Sequence, residues 1–242
     1  MNRLCCSNDD LENVDGFTAN LDFERCLEGC KPIGAEVKAE KGAKKGSFFW
    51  AIPLPKAKIT GEFSIGTKKY AIREGLGYHD HNYWKVDCEH KLFMDDVISK
   101  WYWGRCFAED YTIIFMDTYC QDEQIKSLFV AKGNSIIHCS NNSIELSVSN
   151  SRKDEQLNTS YPAKIRIESI VENEPFRMIL RSKELTDKRD LLDDINPVVR
   201  WLIRFFVSKP AYFGLLADGT MKLANNEIKG TALYEMMYFR NR

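Results

Sequence analysis

The stretch that decides the fold of this chain is a run rich in β-branched and aromatic residues, Tyr111-Thr112-Ile113-Ile114-Phe115-Met116-Asp117-Thr118-Tyr119. Such residues favour extended backbone, and a strand places alternate side chains on opposite faces. One face then carries Tyr111, Ile113, Phe115, Asp117 and Tyr119. The run therefore predicts a β-strand in which one carboxylate lies among apolar and aromatic neighbours.

Outward from this run, much of the chain repeats the pattern in short segments separated by turn residues. Strands are predicted at 17–23, 58–65, 135–140, 144–149, 163–171, 177–185 and 228–239. Pro53 and Pro55 are expected to mark an edge strand or a strand end, and Asp218-Gly219 a turn between two strands. One helix is predicted near 197–207, where apolar residues recur at helical spacing. The sequence therefore predicts a mostly β protein with antiparallel sheets, arranged as a sandwich or barrel.

Composition narrows the functional class. The 242 residues are 44% hydrophobic, which supports a packed core, and 34 basic against 35 acidic residues give a net charge of −1. This balance argues against a general nucleic-acid binder. No apolar run approaches the roughly 20 residues that span a bilayer, and the first ten residues lack the apolar stretch of a signal peptide. A soluble cytoplasmic protein is predicted, with eight cysteines as free thiols.

The most unusual composition lies in the segment Gly75–Trp84, which holds His79 and His81, two of the four histidines. In a strand these two imidazoles share a face and stand roughly 7 Å apart. The pair suits metal binding if a third ligand is supplied by His90, Glu89 or Asp87. It equally suits proton handling with an imidazole positioned by Asp80, or a hydrogen-bond network that ties a loop to a sheet. The residues leave these three alternatives open.

Asp117 is the second candidate. Desolvation raises the pKa of a carboxyl among apolar groups, and a protonated acid of this kind can protonate an unactivated carbon–carbon double bond. The π faces of nearby aromatic rings would stabilise the resulting cation. Two structural alternatives remain: a buried salt bridge between Asp117 and Arg105, and a core-filling role for Trp101 and Trp103.

These motifs resemble those of the carotenoid hydratase (hydroxyneurosporene synthase) family, the AttH-type lipocalin-like proteins and the fungal decalin-forming Diels–Alderases. The shared strings are a Trp-x-x-Pro-x-Pro segment, a GYHDHN string, a WYWGR string and a following strand ending in x-x-Asp. They correspond here to 50–55, 75–84, 101–105 and 115–117. The resemblance runs from about Phe17 to the end of the chain.

The resemblance implies two lipocalin-like or β-sandwich domains, at 1–152 and 153–242, and a cavity for an isoprenoid or polyketide-type molecule. It implies Asp117 as proton donor, with His81, His79 and Asp80 as the other catalytic candidates. Ligand contacts are expected from the surrounding aromatic and polar side chains, Tyr78, Asn82, Tyr83, Trp84, Trp101, Trp103, Arg105 and Phe115. Neither a cofactor nor a metal is expected.

The chain departs from the family pattern at three places. Tyr83 stands where the family has Trp, unless Trp84 takes that role. Phe115 stands where the family has Tyr, so the hydroxyl beside the acid is missing. The first domain looks shortened at its N-terminus, and an exposed sheet edge there would favour a homodimer. Two hypotheses follow: an enzyme that hydrates, isomerises or cyclises a hydrophobic molecule, and a non-catalytic carrier of a lipid or isoprenoid.

Overall fold

A computed structural model describes residues 2–6, 16–31, 36–41, 44–86, 97–120, 123–141, 144–192 and 210–239. These residues form fourteen strands: β1 Asn2–Cys6, β2 Phe17–Arg25, β3 Glu36–Lys41, β4 Lys44–Ile65, β5 Lys68–Val86, β6 Ile98–Ala108, β7 Tyr111–Cys120, β8 Glu123–Lys132, β9 Ser135–Asn141, β10 Glu145–Asp154, β11 Thr159–Val171, β12 Glu174–Asp190, β13 Ala211–Leu223 and β14 Asn226–Tyr238. All strand pairs with an assigned register are antiparallel. The predicted mostly β fold with antiparallel sheets is confirmed, whereas the helix predicted near 197–207 lies outside the described residues.

The chain divides into two compact units. The first comprises Met1–Lys31 and Trp50–Asn82, and the second Pro32–Phe49 and Tyr83–Arg242. The strands β4 and β5 contribute residues to both. The domain boundary predicted after residue 152 falls inside β10, within the second unit.

The first unit is built on the long strand β4, which pairs with β2 through residues 57–65 and with β5. Pro53 and Pro55 do not end this strand, so the strand end considered from the sequence is wrong. They lie between the segment that pairs with β3 and the segment that pairs with β2, where β4 is held by an isolated bridge from Cys30 to Ile52. A proline is tolerated where the strand donates no ladder hydrogen bond.

The second unit contains a nine-stranded sheet in the order β10-β11-β12-β13-β14-β6-β7-β8-β9. Strands that follow each other in sequence pair within the series β6–β9 and within the series β10–β14, and the pair β14–β6 joins the two series. The two ends of the order, β9 and β10, are separated only by residues 142–144. Asn141 and Glu145 therefore lie within about 14 Å of each other, whereas nine flat strands would span about 38 Å. The sheet must curl until its edges meet, as in a barrel.

A hydrogen bond across the interior shows the same curvature. The Tyr234 hydroxyl on β14 donates to the Pro162 carbonyl on β11 at 2.7 Å, although two strands lie between them in the sheet. One core cluster fills the interior with side chains from seven of the nine strands, among them Phe115, Leu128 and Phe213, each 0% exposed. The face of the sheet that carries these side chains therefore lines the interior of the barrel.

The Asp218-Gly219 turn predicted between two strands is absent, because β13 runs straight through it. Gly219 instead serves close packing. A Cβ at this position would lie 2.6 Å from the Cys106 sulfur. The actual turn to β14 follows Leu223, where Ala224 adopts a positive φ of 52°.

Candidate functional site

Asp117 is buried inside the barrel. It lies on β7 directly opposite Tyr102 on β6, and opposed residues of an antiparallel pair project from the same face. Tyr102 and Phe115 belong to the core cluster, and Asp117 itself is 0% exposed. The strand pattern therefore placed this carboxylate correctly among apolar and aromatic groups.

Only one of the two carboxylate oxygens has a hydrogen-bond partner among the described residues. The Gln124 amide donates to Asp117 Oδ1 at 2.8 Å, while Oδ2 is buried with no partner. Burial raises the pKa of Asp117, and the Gln124 bond and the charges of Lys126 and Lys100 only partly oppose that effect. A carboxyl group in this position holds its proton to a higher pH than an exposed aspartate does.

Two tyrosines and a lysine complete the surroundings of this acid. Burial, and secondarily the Asp117 charge, raises the pKa of Tyr102 to about 12, so its hydroxyl stays protonated at neutral pH. The Lys100 ammonium lies over the rings of Tyr102 and Tyr119, at 5.0 and 4.7 Å from their centroids. We call Asp117, Tyr102, Tyr119, Gln124 and Lys100 the interior acid cluster.

Sequence reasoning missed Tyr102 and Gln124, although their positions follow from hairpin register. The two-residue turn Glu109-Asp110 pairs Ala108 with Tyr111, and counting outward from it places Tyr102 opposite Asp117. Tyr102 thus brings a hydroxyl to the neighbourhood of the acid, where the motif residue Phe115 has none. Chemically, the cluster combines a carboxyl group of raised pKa, a phenol that donates hydrogen bonds, and a fixed positive charge.

The tryptophans of the WYWGR string project from the opposite face of the sheet. Trp101, Trp103 and Arg105 alternate with Tyr102 along β6, and they lie opposite Thr118, Met116 and Ile114, respectively. The Arg105 guanidinium stands 5.9 Å from the Trp103 ring centroid. The salt bridge considered between Asp117 and Arg105 is therefore not formed. Of the predicted site residues on β6 and β7, Asp117 and Phe115 therefore face the interior of the barrel, whereas Trp101, Trp103 and Arg105 lie on the outer face of the sheet.

The HDH string lies on β5 in the first unit. His79 and His81 are exposed, as is Asn82, whereas Tyr78 is half-buried. Asp80 accepts a hydrogen bond of 2.9 Å from the indole of Trp50, which is 2% exposed. This carboxylate links the GYHDHN string to the Trp-x-x-Pro-x-Pro strand.

The remaining predicted residues are Tyr83, Trp84 and the proposed third metal ligands. Tyr83 belongs to the second unit, where its ring stacks on Phe49 with centroids 4.8 Å apart. Trp84 lies on β5, and the proposed third ligands at 87, 89 and 90 lie outside the described residues. Within the part of the chain that the structure describes, no three His, Cys, Asp or Glu side chains are grouped to hold a metal ion.

The prediction of free thiols holds for the five cysteines whose side chains the structure describes. Cys26, Cys30, Cys106, Cys120 and Cys139 are free thiols. Of the helices in the described ranges, none is long and apolar enough to cross a membrane.

Comparison with known proteins gives a curated relative and several solved structures. No family model matches the chain. A stretch of 71 residues is 34% identical to hydroxyneurosporene dehydrogenase of Chlorobaculum tepidum, covering 27% of this chain and 17% of that protein. The chain thus spans only a small part of that relative.

The structural similarity extends over nearly the whole chain. A protein assigned as an AttH in Nitrosomonas europaea aligns with a TM-score of 0.61 and 10% identity, over 99% of this chain and 65% of that one. CghA, solved together with Sch210972, aligns with a TM-score of 0.60 and 11% identity, over 93% of this chain and 68% of CghA. CghA solved alone gives the same TM-score of 0.60. The resemblance predicted from the motifs is therefore confirmed at the level of the fold, which this chain shares with the AttH-type protein and with CghA.

Proposed function

We propose that the protein binds a hydrophobic small molecule of isoprenoid or polyketide type and acts on it by acid-assisted hydration, isomerisation or cyclisation. The observation that carries the proposal is Asp117: buried, of raised pKa, and with one carboxylate oxygen unpartnered among the described residues. Perturbed titratable groups inside a fold are characteristic of functional sites. The partial similarity to hydroxyneurosporene dehydrogenase and the fold shared with CghA support a hydrophobic substrate.

The proposed step is a proton transfer from the Asp117 carboxyl to one carbon of a double bond. The alkene becomes a cation, and Asp117 becomes a carboxylate. In a hydration, water forms the new carbon–oxygen bond and its proton returns to Asp117. In an isomerisation or cyclisation, loss of a carbon-bound proton quenches the cation and regenerates the acid. The Tyr102 hydroxyl would hydrogen-bond the carboxylate while it is charged.

Deuterium labelling tests the proposal whichever of the three products forms. The purified protein is incubated with neurosporene, an acyclic polyene, in D₂O, and the recovered carotenoids are analysed by mass spectrometry after exchange into H₂O. Protonation of carbon leaves deuterium bound to carbon in every one of the three reactions. We expect wild-type protein to introduce it and Asp117→Asn to lose it.

The matched control is Asp218→Asn, because Asp218 is an exposed carboxylate of the same unit, paired with Lys183. Equal labelling by Asp117→Asn and wild type would contradict the assigned acid.

A non-catalytic carrier is the second candidate. The observation that favours it is Phe115, a fully buried ring where a hydroxyl would otherwise stand beside Asp117. Native mass spectrometry that shows a co-purified isoprenoid, with no carbon-bound deuterium in the labelling experiment, would support the carrier over the enzyme.

A further inference from the structure

The sheet of the first unit has a long edge that no described strand covers. In the part of the chain that the structure describes, β5 is hydrogen-bonded to β4 alone, so the N–H and C=O groups on its other side have no ladder partner there. Two large hydrophobic side chains of this strand are exposed, Tyr70 at 42% and Leu76 at 57%. We call the segment Lys68–Asp80 of β5 the open edge. It is about 40 Å long.

The other edge strands of the described sheets are shorter or protected. β1, β3 and β9 have five, six and seven residues, and four of the six residues of β3 are charged. β10 carries a bulge at Asn150, where φ is +55° and the register with β11 skips a residue. Lysines, prolines and bulges keep an edge strand from pairing with another chain. From Tyr70 to Asp80, the open edge contains neither lysine nor proline.

The charges along the open edge suit antiparallel pairing with a second copy of the same strand. Lys68 and Lys69 stand at its start, Arg73 and Glu74 at its middle, and Asp80 at its end. In a two-fold dimer, residue i of one copy contacts residue j of the other, and j contacts i. An axis beside Arg73 and Glu74 brings the lysines of each copy close to the partner's Asp80, and Arg73 close to the partner's Glu74. Parallel pairing in register would instead place each cation beside its own counterpart.

The central residues of the open edge are available to such a partner. Arg73 and Glu74 are both exposed, and neither forms an ion pair within the described residues. Leu76 stands two residues from Glu74, so it lies near the centre of the paired segment and loses solvent exposure when a second strand is added. Opposite charges and hydrophobic side chains on neighbouring strands both stabilise a sheet.

We propose that the protein forms a two-fold symmetric homodimer in which the open edges of two copies pair antiparallel, so that the sheets of the two first units become continuous. The new ladder would contain about 12 hydrogen bonds. This inference goes beyond the proposed function, because it requires neither a ligand nor chemistry at Asp117. It gives part of the GYHDHN string, which lies in the open edge, a role in recognition between copies.

Analytical ultracentrifugation over a series of protein concentrations tests the dimer. Leu76→Lys places a charge at the centre of the open edge and should raise the dissociation constant of the dimer at least about tenfold, because the change enters a symmetric interface twice. Ile170→Lys is the matched control. Ile170 is also 57% exposed, and it lies on β11 in the second unit, so the wild-type dissociation constant is expected.

Reversal of the basic end tests the antiparallel direction. The double variant Lys68→Glu, Lys69→Glu places acids close to the partner's Asp80, so we expect a weaker dimer at low salt. Salt should reduce the difference from the wild type, because it screens charges at a partly exposed interface. A dimer that this variant does not weaken at low salt would contradict the antiparallel arrangement.

Hydrogen exchange measured by mass spectrometry locates the interface. Backbone amides on the outer side of the open edge should exchange more slowly as the protein concentration rises and the dimer forms, whereas peptides from β11 should show no dependence on concentration. Circular dichroism establishes that each variant is folded, and the exchange experiment on the wild type decides the question if Leu76→Lys does not fold. A wild type that stays monomeric at every concentration would overturn the proposal. So would equal dissociation constants for Leu76→Lys and Ile170→Lys, or a dimer that leaves exchange in the open edge unchanged.

Discussion

Gly104, the glycine of the WYWGR string, permits close packing of two aromatic residues in the barrel interior. It lies on β6 between Phe115 on β7 and Tyr234 on β14, its direct cross-strand partners. A Cβ built on Gly104 would lie 2.6 and 2.7 Å from two ring carbons of Phe115 and 2.8 Å from the Tyr234 Cβ. Both aromatic residues are 0% exposed. The substitution Gly104→Ala therefore has no free space to occupy.

The magnitude follows from these distances. Carbon atoms pack at about 3.5–4.0 Å, so the Phe115 ring must move by about 1 Å. Insertion of a carbon into a filled core costs about 1–3 kcal/mol. Alanine recovers about 0.5–1 kcal/mol relative to glycine in a strand, because it restricts the unfolded chain. We expect Gly104→Ala to lower the free energy of unfolding by about 1–2 kcal/mol.

A double-mutant cycle in urea denaturation assigns this loss to the ring. Phe115→Leu removes two of the three close contacts of the new methyl group and leaves the Tyr234 Cβ at 2.8 Å, so Gly104→Ala should cost less in that background than in the wild type. A coupling energy of about 1 kcal/mol is expected. A Gly104→Ala protein as stable as wild type, or an equal cost in both backgrounds, would refute the packing argument.

Three further outcomes are expected. Asp117→Asn should raise the free energy of unfolding at pH 7, with a smaller gain at pH 4. Folding raises the pKa of this carboxyl, so the folded state binds a proton more tightly than the unfolded state does. The wild type therefore loses stability as the pH rises from the unfolded pKa to the folded pKa. A stability gain of Asp117→Asn that is independent of pH in chemical denaturation would contradict this sign. Trp50→Phe removes the 2.9 Å hydrogen bond to the Asp80 carboxylate and should lower the free energy of unfolding by about 1–3 kcal/mol. An unchanged free energy of unfolding in chemical denaturation would show that this hydrogen bond does not stabilise the fold. Tyr234→Phe leaves the buried Pro162 carbonyl without its 2.7 Å partner and should cost about 1–2 kcal/mol in the same measurement.

Local pattern was sufficient for the strands and for the burial of Asp117. The alternation in β7 correctly placed this side chain on the face that carries Phe115, because a strand has a fixed period of two. Local turn and breaker residues were a poorer guide, because no strand ends at Pro53, Pro55 or Gly219. Whether a proline interrupts a strand depends on which neighbours need its N–H, and whether a glycine turns or packs depends on what lies across from it.

The candidate site was predicted in part. Hairpin register places Tyr102 opposite Asp117, and that register was already readable at the turn Glu109-Asp110. Gln124 reaches the acid through the next hairpin, in which β8 pairs with β7. The pairing of Asp80 with Trp50 joins residues thirty positions apart, and no local periodicity encodes it.

The order of residues along this chain determined its secondary structure, the antiparallel pairing of neighbouring strands and the identity of the buried acid. These properties depend on alternation and on turns, which are local. Tertiary structure alone decided that β14 pairs with β6 and that β9 and β10, although adjacent in sequence, are not hydrogen-bonded neighbours within the described residues. Those features arise from the curvature and closure of a sheet, which depend on the packing of side chains far apart in sequence.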